Sequence, residues 1–161
     1  MTKIATNPRD LVDRINAGLS NLLTLAANLR DIRVLLHDRL LGKAEAGVID
    51  RVKDTAVEGL HILINPDNQI LGASARTGSG GYSTAMTFHP RTAHKCTCPD
   101  WDKRRRACKH VLALAEKCDL EMDAQVKVIT TVLSQARSTL HDLEATLAQT
   151  MAESLDHLTR P

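Results

Sequence analysis

The chain predicts an α+β protein. A small three-stranded antiparallel unit carries a cysteine–histidine cluster and is followed by a helix. Long N- and C-terminal amphipathic helices flank it and form a bundle or coiled coil. Three observations predict this. Hydrophobic residues make up 43% of the 161 but aromatics only 2%, which suits packed helices better than a sandwich of sheets. Apolar residues recur every three or four positions near both ends of the chain, the period of a helix face. Between the ends the texture changes to short apolar runs punctuated by Asn, Pro and Gly, the signature of strands and turns. The parts divide as 1–58, 59–118 and 119–161.

The first helix opens on Asn7 as cap, Pro8 at the first helical position and Asp10 in the first turn, where the helix dipole favours an acid. Leu11, Ile15, Leu22, Leu25, Leu29, Ile32 and Leu36 make its apolar stripe, and Gly42 marks its stop. A second, shorter helix is expected from Lys43 to about Leu60, built on Val48, Ile49, Val52 and Ala56. The segment His61–Ser74 then holds two apolar runs around Asn65-Pro66-Asp67-Asn68, a β-hairpin. Thr77–Gly81 is a flexible turn, and Tyr82–Phe88 alternates well enough for a third strand. From Cys108 the helical period returns. Met122, Val126, Ile129, Leu133, Ala136, Leu140, Leu143 and Leu147 keep a four-three rhythm, a coiled-coil seam. It slips at Met151, Leu155 and Leu158. A C-terminal helix of about 38 residues spans roughly 57 Å, whereas a compact chain of this length has a radius of gyration near 15 Å. Such a helix needs a partner: the first helix, a second copy of itself, or another protein.

Three of the four cysteines fall in one short window. Cys96 and Cys98 stand two apart on an extended segment, so their side chains share a face. Cys108 and His110 open the following helix, where the turn can aim both inward. Four ligands of this kind match a closed, tetrahedral zinc site, with one Zn2+ per chain. Buried apolar cysteines are the bland alternative, but a window this rich in charge, Pro and Arg makes a poor core. Cys118 lies roughly 12 Å further along the helix, too far for the same metal, and reads as a packed helix residue. His94 is a weaker competitor as ligand. Trp101 reads as a shield for the site rather than a platform for a base.

The net charge of +2 conceals a polarised distribution. From His89 to His110 seven basic side chains face Asp100 and Asp102, a net +5, while 119–161 carries a net −4. Lys95, Lys103, Arg104, Arg105, Arg106 and Lys109 are therefore the candidate nucleic-acid contacts, meeting phosphates without reading bases. A solvated charged loop is the plain alternative.

Cys-x-Cys, a loop and Cys-x-His, preceded by short strands and followed by an apolar helix, resembles the SWIM zinc finger. The matching residues are Cys96, Cys98, Cys108 and His110. Pro99-Asp100-Trp101 and Lys109-His110-Val111-Leu112-Ala113 agree with the motif's flanks. The resemblance covers about residues 60–118. It implies a module that binds DNA or other proteins, as in remodelling-type ATPases, Mutator-type transposases and recombination-accessory proteins.

An enzyme is not expected. Four good ligands leave a zinc ion no open position, and Thr77–Gly81 lacks the Lys-Ser/Thr of a phosphate-cradling loop. The expected function is non-enzymatic binding of nucleic acid, DNA first, with dimerisation through the helices. The alternative is a protein–protein adaptor whose zinc only holds the middle together. No small-molecule substrate and no membrane partner are expected. Clustered cysteines and an amino terminus lacking an apolar signal run suggest an intracellular protein, cytoplasmic or in the nucleoid or nucleus, and not a secreted one.

Overall fold

The computed structural model describes residues 8–44 and 46–159. Helix α1 (Pro8–Arg39) leads through a 3-10 turn (Leu41–Lys43) into α2 (Ala46–Val52). Strands β1 (Val57–Ile64), β2 (Ile70–Thr77), β3 (Tyr82–Thr87) and β4 (Ala93–Cys96) follow, then the short α3 (Pro99–Arg104) and the 51-residue α4 (Lys109–Thr159). Asn7, the expected cap of α1, lies outside the described residues. Among them, no helix is long and apolar enough to cross a membrane.

The strands form one antiparallel sheet in the order β1-β2-β3-β4. Four strands replace the expected three. The addition, β4, pairs with β3 through Thr84 and Cys96, Ala85 and Lys95, Met86 and His94, and Thr87 and Ala93. It is only four residues long, and His94 and Lys95 break any apolar alternation, so its pairing comes from the neighbouring strand rather than from its own composition. The hairpin turn is where the sequence places it. The Asn65 carboxamide oxygen accepts from the Asp67 and Gln69 backbone N–H groups at 3.1 and 2.8 Å, and Asn68 takes a left-handed φ of 60°.

The expected helix over 43–60 is corrected to seven residues. Helix α2 ends at Val52, where the Thr55 N–H donates to the Val52 carbonyl and its hydroxyl to Arg51. A hydroxyl that bonds nearby backbone competes with helix continuation. Residues from Val57 onward join β2 instead, across an irregularity between Glu58 and His61 where Gly59 adopts φ +60°.

Helices α1 and α4 pack as an antiparallel pair. Arg33 of α1 donates to Asp119 at 2.8 Å and also to Asp123, while His37 meets Asp119 at 3.5 Å. The first five turns of α4 carry the core, with Val111, Leu114, Ala115, Cys118 and Met122 fully buried against the sheet and the Leu29–Leu36 stretch of α1. The helix is continuous through Cys118 and Asp119, so the cluster-bearing unit and the C-terminal helix share one rod of about 77 Å. The apolar seam is buried only along its inner half. Leu29, Leu36, Val126 and Ile129 are covered, Leu22 and Leu133 partly so, and Ile15, Leu143 and Leu147 are exposed.

Candidate metal centre

Strand β4 delivers Cys96 to the sheet's end, opposite Thr84. Two residues later Cys98 occupies the N-cap of α3 with extended backbone (φ −75°, ψ 153°), and its sulfur accepts the Trp101 N–H at 3.4 Å. Pro99 follows at the first helical position, its ring pre-set for the turn and its absent N–H no loss there. The stretch expected as a loop is thus partly helical. Arg105 closes it in the left-handed region (φ 53°), donating its N–H to the Trp101 carbonyl. The chain returns at Cys108, just before α4, and His110 sits in the first turn of that helix.

The four ligand atoms of Cys96, Cys98, Cys108 and His110 lie within 4.8 Å of one another. All four residues are buried, with exposures of 2, 1, 2 and 6%. The Cys98 and Cys108 sulfurs are 3.5 Å apart, and Cys108 Sγ lies 3.9 Å from His110 Nδ1. A zinc tetrahedron with its usual bond lengths places sulfurs about 3.8 Å apart and sulfur about 3.6 Å from imidazole nitrogen. The donor set therefore fits zinc in identity, number and spacing.

Hydrogen bonds reach the Cys96 and Cys108 sulfurs too. Cys96 Sγ accepts the Cys98 N–H and the Thr84 hydroxyl, each at 3.4 Å. Cys108 accepts the Val111 N–H, although burial outweighs it and pushes that thiol up to about 12. Without a metal Cys108 is a protonated thiol, and a bound cation would displace that proton. Burial lowers His110, a shift towards the neutral imidazole that ligates metal.

Several contributors were not marked out in the sequence. The Thr84 hydroxyl that reaches Cys96 is held by Thr77 at 2.6 Å, both buried. The Tyr82 ring stands 4.8 Å from the His110 ring. Gly78, in the turn expected only to be flexible, has φ +71°, and a Cβ there would lie 2.8 Å from His110 Nε2. Gly78→Ala should therefore both strain the backbone, by about 1–3 kcal/mol, and push the imidazole off its position. Loss of such a supporting contact should weaken zinc on the order of 10- to 100-fold. Competition against a chromophoric chelator measures it, and unchanged affinity would show that Gly78 does not set the histidine.

Cys118 and His94 stand outside the cluster. Cys118 is fully buried in α4, its thiol pushed up to about 12 by burial. His94 packs edge-on against Trp101 at 5.1 Å. Trp101 is half-buried against the core, with its indole N–H buried and lacking an acceptor among the described residues. Lys95, Lys103, Arg104, Arg105, Arg106 and Lys109 are all exposed. Arg104 pairs with Asp100 and Arg105 with Asp102, each at 2.9 Å.

Residues 92–119 match the family model of the SWIM zinc finger. No curated protein and no solved structure matches the chain. With the matched segment supplying all four donors of a buried Cys3His cluster, the chain carries a SWIM zinc finger, a zinc-binding module.

Proposed function

We propose that Cys96, Cys98, Cys108 and His110 bind one zinc ion per chain, and that this finger presents a cationic surface to the phosphate backbone of nucleic acid, DNA first, without reading sequence. The zinc is structural and the chain is not an enzyme. Four buried donors complete the shell and leave no position for water or substrate. The observation that carries the nucleic-acid reading is the set of six exposed cations, Lys95, Lys103 to Arg106 and Lys109, in the same short segment as a cluster that is itself buried. A loop tethered at both ends by one metal holds its cations in place, and arginine forks suit phosphate oxygens.

Affinity for duplex DNA measured against salt tests this. Neutralising about four phosphates gives a log–log slope of roughly −3 to −4 per chain. Changing Arg104, Arg105 and Arg106 together to alanine should flatten the slope without releasing zinc. A triple variant that binds as well as the parent at equal salt leaves the arginines as solvated residues and favours a protein adaptor.

A second reading concerns the outer half of α4. Leu143, Leu147, Met151 and Leu155 are about 60% exposed and prolong the face that is buried further in. They support self-association through the helices, as a coiled coil or bundle formed between two chains.

A further inference from the structure

A cleft of about 530 Å³ opens at the metal cluster, lined in part by Cys98, Cys108 and His110, between two parts of the chain that are distant in sequence. One wall comes from the end of α1, the 3-10 turn and α2, and brings Arg39, Lys43 and Arg51. The other comes from α3, the residues after it and the first turn of α4, and brings Arg104, Arg106 and Lys109. Among the described lining residues the only carboxylate is Asp100, and Arg104 already engages it at 2.9 Å. Arg39, Lys43 and Lys109 have no ion pair among the described residues, and the Arg51 Nε donates to the Gly47 carbonyl of its own helix at 2.9 Å.

Among the described residues, the carboxylates lining the cleft do not balance these cations. Zn2+ held by three thiolates and a neutral imidazole carries a net charge of −1. Arg39, Lys43, Arg51 and Lys109, none of them in an ion pair among the described residues, outnumber that single charge. Lys109 and His110, in the opening turn of the 51-residue α4, also line the cleft. The positive end of the helix dipole favours an anion there.

We propose that this cleft is a seat for backbone phosphates, and that Arg39, Lys43 and Arg51 contact nucleic acid together with the zinc-bound loop. The proposal rests on the nucleic-acid reading above and extends it to a second wall. The required ligand chemistry is a phosphate group. A nucleic-acid strand is favoured over a free phosphorylated molecule because the same segment bears further exposed cations outside the cleft, Lys95 and Lys103. A small ligand could not reach that far, whereas a strand could.

The test uses the full zinc-loaded chain and a short fluorescent DNA, single- and double-stranded, titrated at several salt concentrations. Arg39→Gln, Lys43→Gln and Arg51→Gln are combined in one variant, and the lysine-retaining Arg39→Lys, Arg51→Lys variant serves as the control. All three positions are exposed, so zinc content and melting should match the parent. The glutamine variant should lose about tenfold or more in affinity and flatten the salt slope, while the lysine control stays near the parent. Parent-like binding by the glutamine variant, with binding lost in the Arg104–Arg106 alanine variant, would overturn the second wall and leave the nucleic-acid reading standing. Full binding by both variants would sink both. If the parent ignores DNA and instead binds inorganic phosphate or a nucleoside triphosphate in a manner that the glutamine variant loses, the occupant is a free phosphate compound and the strand is ruled out.

Discussion

Cys98→Ser is expected to abolish metal retention and unfold the segment between β4 and the first turn of α4. Cys98 is 1% exposed, caps α3 and lies against Cys108 at 3.5 Å, so its sulfur links α3 to the residue that precedes α4. A serine hydroxyl could still cap the helix, but it replaces a soft thiolate with a poor zinc ligand. Structural zinc contributes on the order of 10–16 kcal/mol of apparent binding free energy, comparable with the whole stability of a domain, about 5–15 kcal/mol. Its loss should release Cys96, Cys108 and His110 and fray β4 from β3. Hydrogen exchange should show protection lost first at Ala93–Cys96 and at the start of α4. A Cys98→Ser chain that keeps zinc and native protection there would contradict the proposed ligand set.

The second large effect is expected from Leu143→Asp combined with Leu147→Asp. At 60 and 62% exposure these residues contribute little to the isolated chain. Burying a large apolar side chain is worth roughly 1.5–3 kcal/mol, and a side chain already partly covered gains somewhat less. Four such residues on each of two chains give on the order of 10 kcal/mol, against an association cost of about 4–15 kcal/mol. The two terms are of similar size, so a weak dimer is expected, to be tested at micromolar concentration. Light scattering at that concentration should report twice 17.6 kDa for the parent and a single 17.6 kDa chain for the aspartate variant, with unchanged helicity. A parent that stays at 17.6 kDa removes the dimer and leaves only the α1–α4 pair within one chain.

What the sequence made legible divides along the range of the interactions. The four clustered residues were legible because both pairs lie within one short window and their spacing alone restricts the chemistry. Strand β4 was not, since its His94 and Lys95 carry no strand signature and only pairing with β3 creates the strand. Thr84, Tyr82 and Gly78 were hidden for the same reason: they reach the cluster through the register that sets Thr84 opposite Cys96 and through the turn after β2. Val48, Ile49, Val52 and Ala56 mimic a longer helix because a three-four spacing continues by chance across a helix end. The stripe on α4 was readable as far as Leu147, but periodicity names a face and not what covers it. Arg39, Lys43 and Arg51 meet the arginine loop only after the chain folds back, which no local pattern records.

Native mass spectrometry of the chain purified without chelator measures the metal directly. One zinc ion per 17.6 kDa chain is predicted, kept in Cys118→Ser, whose thiol lies outside the cluster. A fully folded chain that holds no metal, or loss of zinc on Cys118→Ser alone, would contradict the assignment of Cys96, Cys98, Cys108 and His110 as the zinc site.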